Sequence, residues 1–285
     1  MKVVIIGGVA GGATAAARIR RLDEKAEIVV FERSGFISYA NCGLPYYIGG
    51  TIEDEGDLTL QTPESFYKRF RVKMNVRHEV TALHPESKMV TVKNIENCTV
   101  FTETYDKLIL SPGAKPIKPN FEGIDSDKIF TLRTVEDTLK IKKFINEKYP
   151  KSAVVVGGGF IGIEVAENLR ELGIDVTLVE AADQLMAPFD SDMASFIHAE
   201  LRKNGINLML GRFVEGFADT DDGICVKLKN SPTLHANMVV MAIGVAPETT
   251  LAKDAGLELG IKGSIVVNDR METSVTDIYA VGDAV

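Results

Sequence analysis

Cysteine is scarce in this sequence: three occur in 285 residues, at positions 42, 98 and 225. Their spacing matches neither a metal-ligand pattern nor a disulfide framework, so the expectation is a reducing, cytoplasmic setting and no metal site. Long hydrophobic runs are lacking as well. The N-terminal run Val3-Val4-Ile5-Ile6 is far too short for a signal h-region or a membrane span. No basic block occurs, and 32 Lys+Arg against 40 Asp+Glu leave a net charge of −8. Nucleic acid and membrane surfaces are therefore not expected as partners. What is present is a globular composition, 45% apolar and 25% charged, without low-complexity tracts. The length suits one large domain or two ordinary ones.

Two glycine-rich turns organise the chain. Val3 to Ile6 is a β-branched run of the kind found in buried parallel strands. It leads into Gly7-Gly8-Val9-Ala10-Gly11-Gly12 and then a helical stretch predicted from Ala13 to Leu22. A second strand, predicted over 27–31, ends on Glu32. Strand, glycine turn, helix, strand and acid make up a dinucleotide fingerprint. Its backbone N–H groups and helix dipole hold a pyrophosphate, while the acid bonds ribose hydroxyls. Gly7 and Gly12 fit, but Val9 occupies the middle glycine position. The pattern recurs 150 residues on, where 153–156 leads into Gly157-Gly158-Gly159-Phe160-Ile161-Gly162, a complete GxGxxG. A helix predicted from Ile163 to Leu172 and a strand over 175–179 follow, ending on Glu180. Two such units in one chain point to two dinucleotide sites. Ala181 and Ala182 follow Glu180 with no arginine beside them. A carboxylate there accepts bonds from a free 2′-hydroxyl and repels a 2′-phosphate, which favours NADH over NADPH.

Between the units, a helix over 63–69 precedes short runs at 72–76, 79–83, 88–92 and 99–104. These are read as an antiparallel meander. A buried strand at 107–110 ends at Ser111-Pro112-Gly113, and an apolar run at 238–243 ends at Gly244-Val245-Ala246-Pro247; both turns suit domain crossings. Helices are predicted over 134–149 and 190–204, a second meander over about 213–228, and a last strand at 278–281 ending in Gly282-Asp283.

Cys42 sits in the loop Ser38-Tyr39-Ala40-Asn41-Cys42-Gly43-Leu44-Pro45-Tyr46, where Pro45 suits the first turn of a short helix. A thiol there faces unpaired N–H groups and the positive end of the helix dipole, an arrangement that favours a thiolate. The alternative is an inert buried cysteine, the commoner fate of a free one. Cys98 and Cys225 are assigned to packing.

Taken together, these motifs resemble the flavoprotein disulfide reductases, in the single-cysteine branch whose members include coenzyme A-disulfide reductases and NADH-dependent polysulfide or persulfide reductases. The resemblance implies an α/β fold: two Rossmann-like FAD- and NAD(P)-binding domains with small antiparallel meanders, the NAD domain inserted into the FAD domain. Residues 1–111 and 244–285 would form the FAD-binding domain, and residues 112–243 the NAD-binding domain. It implies FAD held by Gly7, Gly8, Val9, Ala10, Gly11, Gly12, Glu32 and Arg33. Ser111, Pro112, Gly113 and Gly244 match hinge motifs, and Gly282 with Asp283 closes the second FAD motif. NADH would bind at Gly157, Gly159, Gly162 and Glu180. Glu164 either helps place the nicotinamide or is an ordinary helix-surface acid.

The glutathione-reductase type of this family needs a CxxxxC pair, but position 47 is Tyr47, and Pro45 excludes CxxC. The resemblance thus implies one redox cysteine, Cys42, that reduces coenzyme A disulfide, a polysulfide or a persulfide. Thr14, Arg18, Arg21, Ser38 and Asn41 match substrate-contact positions; the alternative for the arginines is a solvated helix face. Peroxidases and water-forming oxidases of this branch usually carry a histidine in the first glycine loop, and Val9-Ala10-Gly11 has none. An NADH oxidase, or a nucleotide-binding fragment without turnover, stays open as an alternative. The family also has a C-terminal dimerisation domain that makes a homodimer and lends residues to the partner's site. With the sequence ending at Val285, the expectation is that these residues fold, bind NADH, hold FAD weakly, turn over little and form no tight dimer through that interface.

Overall fold

The computed structural model describes all 285 residues and divides into two compact units. The first comprises residues 1–40, 59–115 and 246–285; the second comprises 41–58 and 116–245. The segment 41–58, assigned by sequence to the FAD domain, packs with the second unit: its helix Leu44–Gly49 lies against the helices Val135–Lys148 and Phe160–Glu171. Short strands Ala114–Pro116 and Val245–Pro247 pair where the chain crosses between units. No helix is long and apolar enough to cross a membrane.

The first unit is built on five parallel strands in the order Ile278–Ala280, Lys107–Leu110, Lys2–Ile6, Glu27–Glu32, Lys73–Val76. Side chains alternate between the two sheet faces, and here both faces are covered, so the central runs Val3–Ile6, Ile28–Phe31 and Leu108–Leu110 are continuously apolar. Val3, Ile5, Ile28 and Val30 pack under the helix Ala10–Leu22, whose Ala13, Ala16 and Ala17 let it sit close. Val4, Ile6, Val29, Phe31, Leu108 and Leu110 meet Val80, Val90 and Val92 of an antiparallel sheet on the other face. That sheet has three strands, His78–His84, Met89–Asn94 and Val100–Thr104.

One sequence expectation is corrected here. The run at 72–76 is not the first strand of the meander: Lys73–Val76 pairs in parallel with Glu27–Glu32, Val29 opposite Lys73. The helix Pro63–Phe70 intervenes and brings the chain back in the same direction, as a parallel neighbour requires. The chain then leaves the sheet at Arg77, whose φ is +57°.

The second unit repeats the plan. Its parallel strands run in the order Asn207–Met209, Asp175–Val179, Ser152–Val156, Met238–Met241, Ile129–Thr131. The helix Phe160–Glu171 packs on one face through buried Val165 and Leu169. Phe217, Ile224 and Val226 of a second antiparallel sheet cover the other. That sheet gains a third strand, Leu234–Ala236, beyond the predicted meander. Both fingerprint helices begin three residues before their predicted starts, at Ala10 and Phe160, inside the glycine motifs.

Candidate active site

In each unit the strand order reverses beside the glycine turn, and the crevice at such a switch point is where open parallel sheets bind ligands. In the first unit Gly7 takes φ +98°, and a Cβ there would stand 2.0 Å from the Ser111 carbonyl oxygen. Only glycine meets both demands. Glu32 is 8% exposed and accepts Gly8 N–H at 2.7 Å and Ser34 N–H at 2.8 Å. A cavity of about 340 Å³ opens at this strand end, lined by Gly7, Glu32, Arg33 and Pro112. His78, Glu79, Thr81 and Glu248 line it too, and sequence reasoning missed them. They arrive from the meander and from after the second crossing, with no local motif to mark them. Ser111 N–H donates to Ile6 O, and Gly113 O accepts Glu248 N–H at 2.9 Å. Gly282 and Asp283 are exposed just beyond the strand Ile278–Ala280.

The second unit holds Gly157 at φ +111°, with a Cβ there only 2.3 Å from the Ala242 carbonyl oxygen. Glu180 accepts Gly158 N–H at 2.5 Å and Ala182 N–H at 2.8 Å. A cavity of about 280 Å³ is lined by Gly157, Glu180, Ala181, Arg212 and Phe213 among others. The last two were also missed, being more than thirty residues from the glycine motif. Gly244, φ +120°, is exposed, and its carbonyl accepts Ile117 N–H.

Cys42 is exposed in the 3₁₀ turn Asn41–Gly43, directly before the helix Leu44–Gly49 with Pro45 in its first turn. Two bonds from Lys142 Nζ, to Tyr47 O at 2.9 Å and Ile48 O at 2.8 Å, hold the far end of that helix. These carbonyls have no partner further along the helix, so the lysine caps its C-terminus. Burial pushes the Lys142 ammonium below the usual lysine value. Along its side the helix fits closely against Asn168, whose Oδ1 would lie 2.1 Å from a Cβ on Gly49. Glu164 sits on the same neighbouring helix; burial, then Glu167, raises its carboxyl above the ordinary glutamate value. The Glu164 charge, then burial, Glu167 and Cys42, push the Tyr46 phenol up. Asn41 Oδ1 is buried without a hydrogen-bond partner.

Thr14, Arg18 and Arg21 form one exposed stripe on the helix Ala10–Leu22, and neither arginine makes an ion pair. Arg20 serves the fold instead, donating to carbonyls of Phe70, Arg71, Asp23 and Glu24. Ser38 takes φ +46° and donates its N–H to Gly8 O. Cys98 is exposed at a hairpin tip with φ +60°, so it does not pack as expected. Cys225 is half-buried, its Sγ 3.3 Å from His235 Nδ1 across two strands.

Two features test whether the residues fit dinucleotides. The helices Pro63–Phe70 and Val135–Lys148 open with capping boxes, in which the Thr62 and Thr134 side chains accept the N–H of the third helical residue. The fingerprint helices have no side-chain cap and no acid in the first turn, which leaves those donors for an anion. At Gly159 a Cβ would meet nothing within 4 Å, so the fold itself makes no demand for glycine there. A phosphate lying close to the turn would make one.

Fold and site thus define a two-dinucleotide α/β oxidoreductase framework. The chain belongs to the pyridine nucleotide-disulphide oxidoreductase family, which matches residues 1–285 and whose chemistry implies FAD and a pyridine nucleotide. It is 41% identical over 282 residues to a coenzyme A disulfide reductase of Staphylococcus aureus, covering 99% of this chain and 63% of that protein. The crystal structure of reduced Bacillus anthracis CoADR-RHD superposes with a TM-score of 0.97 at 49% identity, over 100% of this chain and 51% of that one. An NAD-dependent persulfide reductase from A. fulgidus gives 0.95 at 36% identity, over 100% and 53%. The chain therefore spans about 63% of the length of the curated relatives it matches.

Proposed function

We propose that this chain works in the NADH-dependent, FAD-linked reduction of coenzyme A disulfide or of a polysulfide or persulfide, with Cys42 as the redox thiol. The observation that carries the reading is the setting of Cys42: exposed in front of a helix, with Tyr47 where a second cysteine of that helix would stand. Cys98 and Cys225 belong to hairpin sheets elsewhere. An oxidised Cys42 therefore takes its second sulfur from the substrate. The names of the similar proteins support the substrate class.

The thiolate of Cys42 attacks one sulfur of the disulfide; the S–S bond breaks, one thiolate leaves, and a mixed disulfide remains on Cys42. Two electrons and a proton return Cys42 to the thiolate and release the second thiol. When bound, FAD supplies those electrons after taking hydride from NADH. Gly7–Gly12, Glu32, Arg33, Ser111–Gly113, Gly282 and Asp283 would hold FAD. Gly157, Gly159, Gly162 and Glu180 would hold NADH, with Glu180 accepting from ribose hydroxyls and Glu164 near the nicotinamide. Lys142 keeps the redox helix seated, which fixes the starting point of Cys42. Arg18 and Arg21 offer positive charge to the phosphates of coenzyme A, with Thr14, Ser38 and Asn41 as polar contacts.

The test uses intact mass and steady-state kinetics together. Coenzyme A disulfide should add one coenzyme A to the reduced protein at Cys42, and Cys42→Ser should lose both the adduct and disulfide reduction while keeping NADH-to-dye transfer. A Cys42→Ser variant that still reduced the disulfide would refute the mechanism, and NADH-driven oxygen consumption unaffected by disulfide would favour an oxidase. Arg18→Ala with Arg21→Ala should raise KM for coenzyme A disulfide and leave that for inorganic polysulfide unchanged. An equal change for both acceptors would remove the arginines from substrate recognition.

A further inference from the structure

We infer that His198 holds the second glycine turn in shape through an unprotonated imidazole, so that nucleotide affinity in the second unit falls as the pH drops below neutrality. The inference rests on reading Gly157–Gly162 and Glu180 as a nucleotide site. After Glu180 the chain folds back over the glycine turn before it enters the helix Ser191–Lys203. Gly158 is gripped from both sides: its N–H donates to Glu180 Oε2 at 2.5 Å, and its carbonyl accepts Met186 N–H at 2.8 Å. Leu185 is buried against it, so closely that a Cβ on Gly158 would lie 2.3 Å from Leu185 Cδ2. Met186 takes φ +51°, a conformation that a residue with a side chain keeps only where its surroundings enforce it.

His198 supplies part of that enforcement. Its half-buried ring stands on the helix Ser191–Lys203, and Nε2 accepts Leu185 N–H at 3.0 Å. A ring nitrogen accepts only when it carries no proton, so the bond belongs to the neutral ring with its hydrogen on Nδ1. Protonation sets one N–H against another, and the Leu185 donor loses its partner. Leu185 and Met186 are neighbours in the chain, so the loss reaches the bond to Gly158. Burial, then the Arg202 charge one turn along the helix, hold the ring below the ordinary histidine value of 6.5. The strand Asn207–Met209, packed against this helix, carries no titratable group. The folded-back segment carries Asp183 and Asp190, and the groove on the other side carries Glu167, Arg170, Glu171 and Glu200. None of those acids pairs with the imidazole, and Arg170 is held by Asp175. The clamp is therefore fully present above 6.5 and disappears as pH falls through the lower folded-state value. A nucleotide that prefers the clamped turn lowers that value further, by linkage.

Calorimetric titration with adenosine diphosphoribose, at saturating FAD to fill the first unit, reads the site without the nicotinamide and so without Glu164. Affinity for the unsubstituted chain should fall about fivefold or more between about pH 7.5 and about pH 5.5. His198→Gln, whose amide oxygen accepts the Leu185 N–H at either pH, should keep the higher affinity within about twofold and lose the pH dependence. His198→Ala should bind weakly at both. Hydrogen exchange at the Leu185 and Met186 amides, corrected for its intrinsic pH dependence, reads the clamp with no nucleotide present. It should quicken in acid in the unsubstituted chain and not in His198→Gln. A fall in affinity that survives His198→Gln, or exchange that does not respond to acid, overturns the proposal. If adenosine diphosphoribose binds at neither pH, the reading of the site fails, and the exchange rates still decide whether His198 clamps the turn.

Discussion

In the first unit Glu32 accepts N–H bonds from Gly8 and Ser34; in the second Glu180 accepts them from Gly158 and Ala182. Gly12 and Gly162 each bring their helix so close that a Cβ would stand 1.9 Å from the carbonyl oxygen of Gly7 or Gly157. Those features coincide, and the differences lie between them. The first unit has Val9 and Gly11 where the second has Gly159 and Ile161. A Cβ on Gly11 would come 2.5 Å from Ser111 Oγ, whereas one on Gly159 would touch nothing. The fold thus requires glycine at the two ends of the fingerprint and tolerates a β-branched residue in the middle. This is why the imperfect first loop still makes the same turn.

The sharpest test of that equivalence is Gly12→Ala against Gly162→Ala. Each should cost about 3 kcal/mol or more in urea unfolding, since a backbone carbonyl cannot move out of the way cheaply. Tolerance of one and not the other would break the comparison. Next come Glu32→Gln and Glu180→Gln, where an amide NH₂ would face a backbone N–H donor. The expected loss is about 1–3 kcal/mol, larger at buried Glu32, measured the same way. A larger loss at Glu180 would mean that burial does not set the ranking.

A feature peculiar to the second unit is the lysine cap on the helix Leu44–Gly49 that follows Cys42. Lys142→Met should leave two carbonyls unpaired, cost about 1–2 kcal/mol and quicken labelling of Cys42 by a thiol reagent. Unchanged labelling would detach Lys142 from the positioning of the thiol. Gly159→Ala should leave stability within about 0.5 kcal/mol yet weaken nucleotide binding, whereas Gly11→Ala should lower stability. Equal stability changes would erase the distinction between glycine needed by the fold and glycine needed by the ligand.

The smallest effect belongs to the first unit's last strand. Asp277 takes ion pairs from Lys107 and Lys88, which hold its carboxyl below the ordinary aspartate value of 3.8. Its stabilising contribution is present above that value and disappears as pH falls through the lower folded-state value. Asp277→Asn should therefore lower Tm slightly at pH 7 and not at all in strong acid. A difference that persisted in acid would assign the effect to something other than the charge.

Periodicity and glycine spacing by themselves determined both fingerprint units, the short helix after Cys42 and the shared helix face of Arg18 and Arg21. Each depends on residues within one or two turns of chain, where backbone sterics and burial on both faces of a sheet dictate residue type. Tertiary structure decided the rest. It placed Lys73–Val76 in the parallel sheet, because a strand's partner is chosen by the crossover before it and leaves no mark in the strand itself. Strands of three residues, Ile129–Thr131 and Asn207–Met209, are too short to show a period, and their neighbours in the sheet define them. Segment 41–58 left the first unit for the second because Gly49 admits Asn168 and Lys142 holds the carbonyls of Tyr47 and Ile48. Arg212 reached Glu180 across 32 residues through backbone bonds between neighbouring segments. Contacts of this kind join parts of the chain that are distant in sequence, so no local pattern encodes them and only the packed fold brings them together.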